Sequence, residues 1–274
     1  MFKIPAKHLD WQINTPQVMG ILNITPDSFY AASRHSNIES ALIQTEVFIK
    51  QGASIIDIGA QSTRPGANME GVEIEIERLV PIVKAISEKY PQQLISVDTF
   101  YARVAEAALE AGAHIINDIS CASIDENILA VVAKYNASYI GMHLTGGIEN
   151  MHTVEPREDI MGSLLSYFES KKKLLAKYGI YNWVIDPGFG FGKTVEENFT
   201  ILRKLESLKV LGLPILLGAS RKSSLYKTLG IESKEALNAT TVANTVALLN
   251  GANILRVHDV KEAAEIIQLL PYLK

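Results

Sequence analysis

Two carboxylates and a small set of cations each stand directly beside a short apolar run. Asp98 closes the run LISVD and Asp186 closes WVID, Arg221 and Lys222 follow PILLGAS, and Arg256 and His258 lie within and just after NILRV. Arg64 stands in Ser62-Thr63-Arg64-Pro65-Gly66, after SIIDIG. Guanidinium forks bind phosphate oxygens two at a time, and a carboxylate accepts two parallel N–H bonds. The combination suits a ligand with an anionic end and a donor-rich or incipiently cationic end. The other runs also end in polar groups: Asn23 with Thr25-Pro26-Asp27-Ser28, Asn117-Asp118, and Met142-His143. Gly188, Gly190 and Gly192 follow Asp186 and allow backbone amides to approach a ligand. No Gly-x-x-x-x-Gly-Lys-Ser/Thr loop and no His-Glu-x-x-His helix occurs, so a P-loop nucleotide site and a zincin site are unsupported. The lone Cys121 has no base marked out for it and reads as a small buried residue.

Singly, these residues have plain structural readings as turn formers, helix caps and solvated cations. Their elements give them a common place. The eight runs begin near Val18, Ser54, Leu94, His114, Ser138, Trp183, Pro214 and Asn253, and they are nearly continuously apolar, as parallel strands covered on both faces must be. Helical spacing fills 37–51, 72–89, 102–111, 125–134, 157–178, 195–208, 234–250 and 260–270. Gly52, Gly112, Gly179, Gly212 and Gly251 each follow a helical stretch, where a left-handed C-terminal cap calls for glycine.

Eight βα units of about 34 residues predict an α/β fold, a single (β/α)8 TIM barrel occupying 1–274 as one domain. A doubly wound open sheet is the weaker reading, since no Gly-x-Gly-x-x-Gly turn follows an early strand. In a barrel the polar strand ends converge on one mouth, and the loops after strands seven and eight form the recurrent phosphate site. Ser220-Arg221-Lys222 and Arg256 fall there. Long intervals after the first and fifth strands leave room for lids.

Composition narrows the partners. With 274 residues, a net charge of -4, one cysteine and no block of Lys or Arg, neither a disulfide framework, nucleic acid nor an anionic membrane surface is expected. The start MFKIPAKHLDWQI lacks the apolar stretch of a secretory signal, so a cytoplasmic location is expected. The charge-free stretch 236–255 carries Asn238, Thr240, Thr241, Asn244, Thr245, Asn250 and Asn253, and reads as a buried helix running into a strand.

Several motifs, in order and over almost the whole chain, together resemble the dihydropteroate synthase family. They are the segment Gly20-Ile21-Leu22-Asn23-Ile24-Thr25-Pro26-Asp27-Ser28-Phe29, then Ser62-Thr63-Arg64-Pro65-Gly66, Ser96-Val97-Asp98-Thr99 and Ile116-Asn117-Asp118-Ile119. Asp186-Pro187-Gly188-Phe189-Gly190-Phe191-Gly192-Lys193, Ser220-Arg221-Lys222-Ser223 and Arg256-Val257-His258-Asp259 complete the set. The resemblance implies a cytosolic (β/α)8 enzyme of folate biosynthesis, a homodimer and sulfonamide target. It implies condensation of 6-hydroxymethyl-7,8-dihydropterin diphosphate with 4-aminobenzoate, with release of diphosphate. On the family's pattern Asp98, Asn117, Asp186 and Lys222 hold the pterin, with Ile119, Met142, Phe191 and Gly218 around it. Thr63, Arg64, Arg256 and His258 take the diphosphate, Asn23 contacts Mg²⁺, and Phe29, Pro65 and Ser223 take 4-aminobenzoate. Asp98, Asp186, Lys222 and Arg256 form the catalytic set.

The sequence departs from the family at Tyr30-Ala31-Ala32-Ser33-Arg34, at Gln61 where many members carry Glu, at Thr145-Gly146-Gly147, and at Glu197-Asn198 in place of a frequent His-Asn. These positions concern the lids rather than the pterin or diphosphate sets. A methyltetrahydrofolate-dependent corrinoid methyltransferase and a non-catalytic pterin-binding protein are the alternatives; neither requires the Ser-Arg-Lys and Arg-Val-His phosphate set together with turnover.

Overall fold

The computed structural model describes residues 1–24, 34–61, 71–144, 154 and 156–273. Phe29, Thr63, Arg64 and Pro65 of the expected site lie outside the described residues. Each of the eight apolar runs forms a strand: β3 (Gln17–Asn23), β4 (Ile55–Gly59), β5 (Leu94–Asp98), β6 (Ile115–Asp118), β7 (Ser138–Met142), β8 (Val184–Asp186), β9 (Leu216–Leu217) and β10 (Ile254–Val257). A hairpin, β1 (Phe2–Ala6) and β2 (Leu9–Ile13), paired antiparallel, precedes them. The eight-stranded sheet runs β8-β7-β6-β5-β4-β3-β10-β9, all parallel, and a parallel bridge between Ile185 and Ile215 joins its two ends into a barrel.

The helices that follow the barrel strands are α1 (Arg34–Lys50), α2 (Val72–Lys89), α3 (Ala102–Ala111), α4 (Asn127–Lys134), α5 (Ile160–Ala176), α6 (Val195–Lys204), α7 (Ser223–Leu229), α8 (Leu237–Leu249) and α9 (Val260–Leu269). The five glycines expected to cap helices all have positive φ. At Gly112 a Cβ would also collide with the Ser87 hydroxyl. The charge-free stretch forms α8 and leads into β10, and no helix among the described residues is long and apolar enough to cross a membrane.

Side-chain alternation along the strands separates three environments. Outward residues such as Ile56, Ile58, Ile95, Val97, Ile116, Leu217 and Leu255 join the large core beneath the helices. Inward residues at the lower end, Met19, Ile55, Ile115, Ile140, Val184, Leu216 and Ile254, pack with Ile4, Ala6, Trp11 and Ile13 of the hairpin, which plugs that end. Two residues further along, the inward positions change character to Asp57, Ser96, Asn117, Asp186, Gly218 and Arg256. A dry lower half thus supports a polar upper half, and the site is built in the latter.

Trp11 is 1% exposed and its indole N–H donates to Gln17 Oε1 at 2.8 Å. Trp11→Ala is expected to cost about 3–5 kcal/mol, the usual range for emptying a large core side chain, in chemical denaturation, with ligand affinity at the opposite end of the barrel preserved. A loss below about 1 kcal/mol would show that the hairpin is dispensable to the barrel.

Candidate active site

A recess opens at the C-terminal ends of the strands. Asp98, Asn117, Asp186, Lys222 and Arg256 form its polar wall, Ile119, Met142, Phe189 and Phe191 its apolar wall, and Gly218 leaves room between Arg256 and Asp186. Every pterin residue implied by the resemblance therefore lines one recess.

Arg256 is the hub. Its Nε donates to Asp57 Oδ2 at 2.6 Å and its Nη2 to Asp98 Oδ2 at 2.6 Å. Burial opposes its charge, but the two carboxylates hold the guanidinium pKa above its ordinary value. Burial pushes the Asp98 carboxyl up to about 7 against the pull of Arg256. Asn117 Nδ2 donates to Asp57 Oδ2 at 3.2 Å, so Asn117 and Arg256, the residues expected at the pterin and at the diphosphate, meet through Asp57. Asp57 is absent from the sequence-derived site; the available signal is an acidic residue at an inward position of an apolar strand.

Asp186 is fixed from the loop that follows it. Its Oδ1 accepts the Gly188 N–H at 2.7 Å, while burial raises its pKa and that bond, Lys222 and Arg256 lower it. Gly188 has φ +69°, and a Cβ there would collide with the His143 carbonyl. The loop's carbonyls are gathered by the buried Lys193, whose Nζ donates to Gly188 O at 2.8 Å, Phe191 O at 3.0 Å and His143 O at 3.4 Å. Asn198 Oδ1 accepts the Gly190 N–H at 2.7 Å. This bracing presents Phe191, over whose ring the Lys222 ammonium sits at 3.8 Å from the centroid. Burial and Arg256 lower the Lys222 pKa to about 8, opposed by Asp186 and Asp98. Lys193 closes the motif that begins at Asp186, but the sequence assigns it no role; in the structure it holds that loop together.

The structure corrects the expectation for Arg221. Its guanidinium makes a fork–fork pair with Asp259, at 3.0 Å from Nε and 2.8 Å from Nη2, and its Nη1 donates to the carbonyls of Ser233 at 3.2 Å and Lys234 at 2.6 Å. It braces the loop after β9 rather than offering donors to a phosphate. His258 lies exposed at the rim, its Nδ1 3.1 Å from Ser220 Oγ. Ser223 begins α7, which has seven residues. Asn23 ends β3 and is exposed; its Oδ1 and Asp98 Oδ2 lie 3.9 and 3.8 Å from the position a Gly59 Cβ would take, so the strand ends of β3 and β5 present an oxygen each on either side of Gly59.

Other polar strand ends are structural. Asp118 accepts from Ser120 N, Ser120 Oγ, Ala122 N and Tyr139 OH, each at 2.7 Å. His143 is buried edge-on against Tyr167, and burial and the nearby cations push its pKa down to about 3. Burial pushes the Cys121 thiol up to about 12, in keeping with an inert core residue. At the departures, Gln61 donates to the buried Glu75 at 2.8 Å, and Glu197 closes a capping box on α6 while pairing with Arg157 at 3.1 Å.

The family described as pterin binding enzyme matches residues 19–258. A dihydropteroate synthase of Synechocystis is 42% identical over 263 residues, covering 95% of this chain and 90% of that protein. The chain belongs to the dihydropteroate synthase family. The synthase of Escherichia coli K12 is 36% identical over 98% of this chain and 95% of its own length. Solved structures agree in fold: the Yersinia pestis dihydropteroate synthase in a sulfonamide drug complex superposes with a TM-score of 0.92 at 36% identity, covering 99% of both chains. The Xanthomonas albilineans dihydropteroate synthase with 4-aminobenzoic acid gives 0.91 at 32% identity, covering 99% of this chain and 97% of that one. Dihydropteroate synthases are transferases, and so is this member of the family.

Proposed function

We propose that this chain condenses 6-hydroxymethyl-7,8-dihydropterin diphosphate with 4-aminobenzoate, giving 7,8-dihydropteroate and diphosphate, and that the recess is its pterin site. The observation that carries this reading is the grouping of Asp186 and Asn117 with Lys222 and Arg256 around one cavity with an apolar side. A pterin is a flat ring with a donor-rich amino-pyrimidine edge. Asp186 and Asn117 accept that edge, Lys222 donates to the ring oxygen and nitrogen, and Ile119, Met142 and Phe191 pack its faces.

Arg256 and His258, with Thr63 and Arg64, take the diphosphate. The reaction is dissociative: the bond from the pterin methylene to the diphosphate oxygen breaks first, and its electron pair leaves with the diphosphate. Charge develops at both ends, and groups already oriented in a partly dry site stabilise it without reorganising. Asp98 and Asp186 face the methylene cation and Arg256 the departing anion. The lone pair of the aniline nitrogen then forms the bond to the methylene and the nitrogen releases one proton to water, with Ser223 assigned to the 4-aminobenzoate carboxylate and Phe29 and Pro65 to its ring.

Mg²⁺ fits this reading. Asn23 presents a hard amide oxygen at the barrel mouth, at the same strand level as Gly59 and Asp98. That donor suits an ion completed by substrate phosphates and water. Bound there, Mg²⁺ would neutralise diphosphate charge. Chelation is expected to raise KM for the pterin diphosphate at least about tenfold, while binding of the unphosphorylated pterin stays unchanged, because the leaving group alone needs the ion. Equal weakening of both ligands would place the ion elsewhere.

We also propose a cytoplasmic homodimer. The charge-free α8, with Val242 57% and Leu249 42% exposed, supports it as part of the subunit contact. The function is tested by incubating purified protein with the pterin diphosphate, Mg²⁺ and 4-aminobenzoate. Diphosphate release that requires 4-aminobenzoate is expected. Pterin binding without release would point to a binding module, and methyl transfer from methyltetrahydrofolate to a corrinoid would point to the other pterin barrel chemistry.

A further inference from the structure

Resting on the pterin reading above, we propose that Asp57 is a positioning residue of the reaction, a buried carboxylate that sets the orientations of Arg256 and Asn117 together. Asp57 lies in the middle of β4, at the inward position between Ile55 and Gly59, and is 0% exposed. Nothing in barrel packing calls for a charge at this level: Ile55 fills the layer below with an aliphatic side chain. An isolated carboxylate there is costly unless it is paired and hydrogen-bonded.

One carboxylate oxygen meets both partners. Asp57 Oδ2 accepts from Arg256 Nε at 2.6 Å and from Asn117 Nδ2 at 3.2 Å. Arg256 carries a second bond, from Nη2 to Asp98 Oδ2 at 2.6 Å. Two carboxylates on two different nitrogens fix the plane of the guanidinium as well as its position. At Asn117 the bond has a different effect. An amide can present either its oxygen or its nitrogen to a ligand, and the hydrogen-bond network decides which. With Nδ2 committed to Asp57, Oδ1 is the group left for the recess, an acceptor suited to a donor-rich edge. Asp57 thus selects the amide face that reads the pterin and aligns the cation that faces the leaving group, without itself lining the recess.

The test is Asp57→Asn, which keeps volume and removes the charge. We expect kcat/KM for the pterin diphosphate to fall about 100-fold, the scale of loss when a catalytic group is slightly displaced. KM for 4-aminobenzoate is expected to stay within about threefold and the variant to remain folded, since Arg256 keeps Asp98 at 2.6 Å as its counter-charge and the asparagine fills the same volume. In an Arg256→Gln background the same substitution is expected to cost no more than about tenfold, because residues acting through one another are non-additive. Activity of Asp57→Asn within about threefold of wild type, or a full additional 100-fold loss in the Arg256→Gln background, would overturn the proposal. Should Asp57→Asn not yield folded protein, Asp57→Glu keeps the charge and shifts it by one methylene; a loss of about tenfold or more supports the proposal, and wild-type turnover overturns it. A wild-type chain that fails to form dihydropteroate contradicts the functional reading itself, whereas an active wild type with an active Asp57→Asn contradicts only this inference.

Discussion

Asp186→Asn is expected to lower kcat/KM for the pterin diphosphate by about 10²–10⁴-fold, because it removes two charge-assisted hydrogen bonds at roughly 1.5–3 kcal/mol each. The substitution is nearly isosteric, and the asparagine Oδ1 can still accept the Gly188 N–H that Asp186 accepts at 2.7 Å. The loop through Gly188 and Gly190 keeps its other braces, Lys193 on the Gly188 and Phe191 carbonyls and Asn198 on the Gly190 N–H. The fold therefore survives while the chemistry changes: an NH₂ group meets a donor edge, and the negative charge facing the incipient methylene cation is gone. Both KM for the pterin and kcat should suffer. Turnover near wild type, with pterin affinity unchanged, would remove Asp186 from the pterin edge.

Lys222→Ala is expected to reduce kcat/KM by about 10²–10³-fold, from the loss of a charge-assisted bond in a largely buried recess. The ammonium lies 3.8 Å from the Phe191 ring centroid, and the Asp186 and Asp98 carboxylates favour its charge. Its pKa, lowered to about 8 chiefly by burial, also predicts a pH effect. The cation is present below that value and lost as pH rises through it, so kcat/KM should decline above about pH 8 with a limb that Lys222→Ala lacks. The sign for stability is opposite to that of a stabilising lysine. A folded pKa below the unfolded one means the protonated side chain weakens the fold at neutral pH, so Lys222→Ala should melt no more than a few degrees below wild type. A variant that unfolds, or one that keeps the alkaline limb, would contradict this assignment.

The barrel was readable because two of its signals are local. Parallel strands covered on both faces make unbroken apolar runs, and left-handed caps demand glycine at Gly52, Gly112, Gly179, Gly212 and Gly251. The β1–β2 hairpin was not readable in that way. Its strands have five residues each, include Pro5, and bury only alternate side chains. The seven-residue α7 is too short for helical periodicity to register. In the site, Asp98, Asn117, Asp186, Lys222 and Arg256 were legible as polar strand ends, since barrel geometry brings all such ends to one mouth. What sequence could not supply is how those groups pair. Arg221 looked like a phosphate ligand because its partner Asp259 is 38 residues away and becomes a neighbour only through the adjacency of β9 and β10. Asp57 lay hidden inside an apolar run, with partners 60 and 199 residues distant.

Condensation by the purified chain is read by mass spectrometry of one reaction containing the pterin diphosphate, 4-aminobenzoate and Mg²⁺, with diphosphate quantified in parallel. The expected result is 7,8-dihydropteroate formed in step with diphosphate, and neither product without 4-aminobenzoate. Recovery of unchanged pterin diphosphate, or diphosphate accompanied only by the hydrolysed hydroxymethyl pterin, would contradict it.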